Sequence, residues 1–349
     1  MNFHSAPLIA WTDKGLFCES GGFHIDPHRA VEVAIVTHAH SDHARRGSKH
    51  YICENSGIEL LKTRLGKNIK VTGFNYGEVF RLGEVSISLH SAGHILGSAQ
   101  VRVERGPEVW VASGDYKRDR DPSCAPFESV ACDTFITEAT FGTPKFTWVK
   151  DLEHGLMIHD WWEKNRKQNI NSILFGYSLG KAQRILAELA PFAQQPVLIH
   201  QSISELTECY RRQGRVLAAT ADLMDEIQML PFDEQLSGEL ILAPPSVLKE
   251  GWIHKLGKYK TAFASGWMQG SGQGFSRGGY DHGFVMSDHA DWNDLNQTIM
   301  ETGAKRVFVQ HREGALISHL KKKGIEAYSV DELIPANYAA LGGTNLCLI

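Results

Sequence analysis

The chain has 349 residues, 42% hydrophobic and 22% charged, enough for a sizeable core and for two domains or one large domain with an insertion. A net charge of −4 and a pI near 6.5 argue against a passive, sequence-independent nucleic-acid coat, although not against an enzyme whose positive charge arrives with bound metal. Six cysteines without a CxxC pair, no apolar run near the ~20 residues of a membrane span, and no secretory pattern in MNFHSAPLIAWTDKG lead to the expectation of a cytoplasmic protein with reduced thiols and no membrane partner.

In chain order, short β-rich runs each stop at a polar or glycine-containing turn. They are VEVAIV (31–36), VSISL (85–89), VWVAS (109–113) and TFIT (134–137), then SILFG (172–176), PVLIH (196–200), LILAPP (240–245) and TAFAS (261–265), and last RVFVQ (306–310). Several lack alternation, as strands buried on both faces do. Helical patterns lie between them at 181–192, 203–213 and 291–303, the last two opening with Ser or Asp at cap-like positions and the third ending at Gly303. Alternating strands and helices predict an α/β architecture. Composition shifts near 141–155, and the glycine- and serine-rich stretch 266–283 reads as a connection. The simplest organisation is a catalytic domain over 1–150, an inserted domain over 151–265, and a return over 266–349.

Seventeen histidines is a high count, and their placement is more informative than their number. VEVAIV leads to His38, His40, Asp42 and His43; VSISL leads to His94; VWVAS leads to Asp115; RVFVQ leads to His311. One histidine beyond a strand is usually a loop residue, but a sheet gathers its strand ends along one edge. In an extended segment His38 and His40 point to the same side, so two imidazoles converge on one ion. Asp42 and His43 fall where the chain turns, on the expectation of a helix, and address a second ion. Imidazole and carboxylate donors suit zinc or manganese better than magnesium.

His38-x-His40-x-Asp42-His43, with Asp26 in FHIDP, His94 in SAGH and Asp115 in SGDY, resembles the metallo-β-lactamase fold. The resemblance implies an αββα sandwich with two metal ions at one edge. By motif, His38, His40 and His94 would hold the first ion; Asp42, His43 and His311 would hold the second; Asp115 would bridge them. Asp26 would orient the first histidines from behind. Glu138 in TFITEATFG and His289 in MSDHADW, with an insertion between them, narrow the resemblance to the β-CASP nucleases, giving an inserted α/β β-CASP domain. FHIDP, THAHSDHAR, GYSLGKAQRIL, ASGWM and GFVMSDHADW together are similar to bacterial ligase-associated DNA exonucleases, over about residues 5–335. One departure is that the last motif, often His-Gly-Glu in these enzymes, here reads His311-Arg312-Glu313.

The resemblance implies a DNA exonuclease in DNA repair that hydrolyses phosphodiesters at a two-metal site, with single strands or ends as substrate and functional association with a DNA ligase and a helicase. His289 would be the general acid and Glu138 its partner, with Asp115 and Asp42 also at the reacting centre. Among substrate contacts, Lys181 in GYSLGK reads either as a phosphate-binding helix start or as a plain strand-to-helix turn. His200 is more often structural than functional, and Arg45 has a positional claim beside the metal motif. Rival readings are an RNA-processing β-CASP ribonuclease, a small-molecule metallo-hydrolase, and a non-catalytic binding subunit.

Overall fold

The computed structural model describes residues 7–270, 279–311 and 314–333. A first six-stranded sheet is built in chain order from β1 (Ala10–Thr12), β2 (Gly15–Cys18), β3 (Phe23–Ile25), β4 (Val33–Ile35), β5 (His50–Glu54) and β6 (Val71–Phe74). Its first two pairings are antiparallel and the rest parallel, with α1 (Ile58–Leu65) crossing from β5 to β6.

A meander follows, of β7 (Val79–Leu82), β8 (Val85–Ser91), β9 (Ala99–Arg105) and β10 (Glu108–Ala112), to which β11 (Thr134–Thr137) adds in parallel. The chain then leaves for a third sheet, entirely parallel, of β12 (Asn171–Phe175), β13 (Val197–Ile199), β14 (Thr220–Asp222), β15 (Leu240–Ala243), β16 (Tyr259–Ala264) and β17 (His282–Phe284), ordered β14-β13-β15-β12-β16-β17. The helices α2 (His154–Arg166), α3 (Lys181–Leu189), α4 (Gln201–Arg212) and α5 (Leu223–Met229) belong to this stretch. After α6 (Trp292–Thr302), β18 (Arg306–Val309), α7 (Gly314–Lys322) and β19 (Glu326–Ser329) return to the second sheet, ordered β19-β18-β11-β10-β9-β8-β7. The strand β17 lies beyond residue 265, where the sequence places the end of the insertion.

Side-chain period two decides the layering. In TFIT, Ile136 packs with Phe23, Ile35, Leu89 and Val101 between the first two sheets, while Phe135 faces out against Leu295, Ile299 and Leu316 of α6 and α7. The other face of the first sheet, through Ala34 and Tyr51, is covered by Leu60 and Leu61 of α1 and by Tyr210 of α4. The result is the expected αββα sandwich, with the third sheet carrying its own core on both faces. The helix α6 starts where its sequence indicates: Asp291 accepts from Asp294 N at 2.8 Å, and Gly303 closes the other end at φ 66.

Candidate metal centre and its cavity

Just beyond β4, His38 Nε2 and His40 Nδ1 lie within 3.1 Å of each other. His94, the third residue beyond β8, places Nε2 3.1 Å from the same His40 nitrogen. Asp115 follows β10 at a glycine turn. Gly114 has φ 56, and a Cβ there would meet the Thr37 side chain at 2.7 Å. Asp115 Oδ2 lies 3.5 Å from His38 Nε2 and 3.8 Å from His94 Nε2, and one donor atom from each of these four residues falls within a 4.8 Å group.

The donor chemistry fits a tetrahedral divalent ion. Bonds of about 2.0–2.1 Å in a tetrahedron separate ligand atoms by roughly 3.3 Å, close to the spacing found. All three tautomers are fixed by neighbours. His40 Nε2 lies 3.1 Å from Leu179 O and His94 Nδ1 2.7 Å from Asp288 O, so each of those nitrogens carries the hydrogen. Thr37 Oγ1 donates to Asp26 Oδ2 at 2.5 Å and therefore accepts from His38 Nδ1 at 3.1 Å. The lone pairs of His38 Nε2, His40 Nδ1 and His94 Nε2 are left facing one another. Burial, with neighbouring histidines, holds His38 and His94 well below the usual imidazole range, in the neutral form a ligand needs.

Asp42 and His43 sit in a single turn, closed by His43 N and Ala44 N on His40 O; the helix expected there does not form. His43 is gripped at both ends, Nδ1 2.7 Å from Asp26 Oδ2 and Nε2 3.3 Å from Asp115 Oδ2. Burial would lower this imidazole, but Asp115 and Asp26 raise it well above the usual range. Asp42 is exposed, with Oδ2 3.7 Å from His43 Nε2. His311 is exposed on the wall of the same cavity. Among the described residues four non-glycines have positive φ, and two belong here: Asp26 at 44° and His311 at 57°. Arg312 lies outside the described residues. Asp26 acts on His43 directly and on His38 only through Thr37.

Glu138, just past β11, is buried and accepts from Tyr116 N at 2.8 Å. Its two oxygens stand 3.1 and 3.0 Å from His289 Nδ1, which is 3.9 Å from Asp115 Oδ2. Burial opposes charge on His289, but Glu138 and then Asp115 overcome it and push the imidazole up to about 9.

These groups open into a cavity of about 610 Å³. Of the three substrate residues considered from sequence, Arg45 is exposed, while Lys181 and His200 are buried. Lys181 Nζ is turned to Met286 O and to Asp288 Oδ1, the latter at 2.8 Å, and burial lowers its pKa to about 8. His200 caps α4, accepting from Ser202 N at 3.2 Å, with Nε2 3.2 Å from Glu250. Sequence reasoning missed Arg64, Phe141, Tyr177, Ser178 and Trp267 on the cavity wall. All but Arg64 stand inside the motifs TFITEATFG, GYSLGK and ASGWM. Nothing local distinguishes a wall aromatic such as half-exposed Tyr177 from a core one.

No protein-family model matches the chain. It is 28% identical over 325 residues to a probable DNA ligase of Opitutus terrae, covering 91% of this chain and 30% of that protein. It is 27% identical over 192 residues to Ribonuclease TTHA0252 of Thermus thermophilus, covering 47% of this chain and 44% of that one. The chain thus spans less than half the length of either relative. A crystal structure of a protein of unknown function from Enterococcus faecalis V583 shares the fold at a TM-score of 0.55 and 14% identity, over 85% of this chain and 78% of that one. These matches agree with the metallo-β-lactamase β-CASP resemblance read from the sequence motifs, without separating its subgroups.

Proposed function

We propose that the protein is a metal-dependent nuclease that hydrolyses phosphodiester bonds of DNA. The observation that carries this reading is the juxtaposition of two groups sharing one carboxylate: His38, His40, His94 and Asp115 on one side, and Asp115, Glu138 and His289 on the other. The first set would hold one ion, and Asp42, His43 and His311 with Asp115 would hold a second, zinc or manganese by donor type. Bound there, divalent ions supply Lewis-acid polarisation and water activation. His289 holds a proton at Nε2 and delivers it to the leaving oxygen. Glu138 keeps the other nitrogen protonated and the ring charged. Tyr177, half-exposed, and the partly buried Trp267 offer faces on which bases stack, a sequence-tolerant mode of holding a strand.

DNA is favoured over RNA by coverage. The relative named a DNA ligase matches 91% of this chain yet uses only 30% of its own length, leaving the remainder free to carry the ligase activity. A cavity of about 610 Å³ lies in the range that encloses a small ligand, which suits a strand end and an exonuclease; a place in repair beside a ligase and a helicase comes from the sequence resemblance. The second reading, a ribonuclease, is favoured by the Thermus relative. A time course on matched end-labelled DNA and RNA strands decides between them. Shortening of DNA at a rate well above RNA is expected, and the reverse preference contradicts the DNA assignment.

A further inference from the structure

Within Leu179–Arg184, the turn after β12 and the first residues of α3, three groups engage His40 or the 286–288 segment beside the metal centre. Leu179 O accepts from His40 Nε2. Lys181 Nζ donates to Met286 O and Asp288 Oδ1, and Arg184 Nη1 donates to Ser287 O with Asp288 Oδ1 at 3.5 Å. The next carbonyl in line, Asp288 O, accepts from His94 Nδ1 at 2.7 Å. Three consecutive carbonyls, 286 to 288, are thus held by Lys181, Arg184 and a metal-ligand histidine. The Asp288 carboxylate is further balanced by Lys117, 3.9 Å away, and the side chains of Lys117, Lys181, Arg184 and Asp288 are all at most 7% exposed.

We infer that Leu179–Arg184 is an outer shell of the metal site, so that affinity for the first ion depends on how the third-sheet unit is seated. Two of the three imidazoles owe tautomer and orientation to it: His40 through Leu179 O, and His94 through an Asp288 carbonyl locked by Lys181 and Arg184. Groups that fix the far nitrogen of a ligating histidine typically change metal affinity by about 10–100-fold when removed. Coupling of this kind is reciprocal, so bound metal in turn tightens the seating of the unit. Lys181, which also lines the cavity, is therefore a positioning residue whose ammonium is committed to Met286 O and Asp288 Oδ1. Gly180 is part of the device: its φ is 86°, and a Cβ there would stand 2.4 Å from Ile95 Cγ2 and 3.6 Å from His40 Nε2, so a larger residue is expected to disturb the Leu179–His40 contact.

The inference rests on the reading of His38, His40, His94 and Asp115 as ligands, and the test separates the two. Zinc and manganese dissociation constants are measured on the whole chain by competition with a chromophoric chelator, for wild type, Lys181→Met, Lys181→Arg, Gly180→Ala and His40→Ala, with thermal melts of the metal-free proteins establishing folding. Lys181→Met and Gly180→Ala are expected to fold and to bind about 10–100-fold more weakly, with Lys181→Arg recovering most of the loss. Folded Lys181→Met and Gly180→Ala proteins that bind within twofold of wild type overturn the inference alone. Wild type that binds no metal, or His40→Ala that binds as wild type does, overturns the ligand reading and the inference with it.

Discussion

His289 Nδ1 lies 3.0 Å from Glu138 Oε2, although 151 residues separate them in the chain. The pair joins the end of β11 to the loop after β17, and it leaves the metal ligands outside its hydrogen bonds. Replacing His289 by Ala is therefore expected to lower turnover by roughly 10²–10⁴-fold while metal content, read by elemental analysis, stays at the wild-type level. Parallel loss of metal would count against the acid role.

Asp115 behaves oppositely. Its Oδ2 stands 3.3 to 3.9 Å from nitrogens of His43, His38, His94 and His289, and burial is overcome by His43 and His289 to hold its carboxyl well below the usual carboxylate range. Asp115→Ala is expected to lose metal and activity together. An active, metal-loaded variant would remove the bridging role.

Tyr177 is 53% exposed at the end of β12, on the cavity wall. Stacking of a base on an aromatic ring is worth about 1–3 kcal/mol, so Tyr177→Ala should raise KM for oligonucleotides with kcat little changed, while Tyr177→Phe stays near wild type. Steady-state kinetics on a labelled single strand checks this, and an unaltered KM in the Ala variant refutes it.

His154, at the start of α2, is pushed down to about 4 by burial and then by Arg184, with Nε2 3.0 Å from Val285 O. Its folded-state pKa lies below the unfolded 6.5, so between about pH 6.5 and 4 the unfolded chain binds more protons and stability falls as pH falls. The loss attributable to this group reaches roughly 3 kcal/mol at most. Urea unfolding at pH 7 and pH 4.5 should show a smaller acid loss for His154→Phe than for wild type; equal losses contradict the assignment.

What the sequence reveals and conceals divides along chain distance. The αββα layering follows from period-two runs such as TFIT, and the strand-end positions of His38, His94, Asp115 and Glu138 follow from the same runs. Which imidazole nitrogen faces inward does not, because it is set by Thr37 Oγ1, Leu179 O and Asp288 O, the last two 139 and 194 residues from their histidines. PVLIH and RVFVQ look alike as strand ends, yet His200 caps a helix through Ser202 while His311 reaches the cavity. A basic residue at a helix start reads as a phosphate contact until its partner is known. Lys181 is paired with Asp288, 107 residues on, inside the protein.

The central claim is that these ligands carry the chemistry. Its most direct test is hydrolysis of an end-labelled DNA strand by chelator-stripped protein, before and after zinc, manganese or magnesium is restored, beside a His38→Ala, His40→Ala double variant. No hydrolysis by the stripped protein, recovery with zinc or manganese, and none by the double variant under any metal are expected. Hydrolysis that persists in chelator, or in the double variant, would contradict the claim.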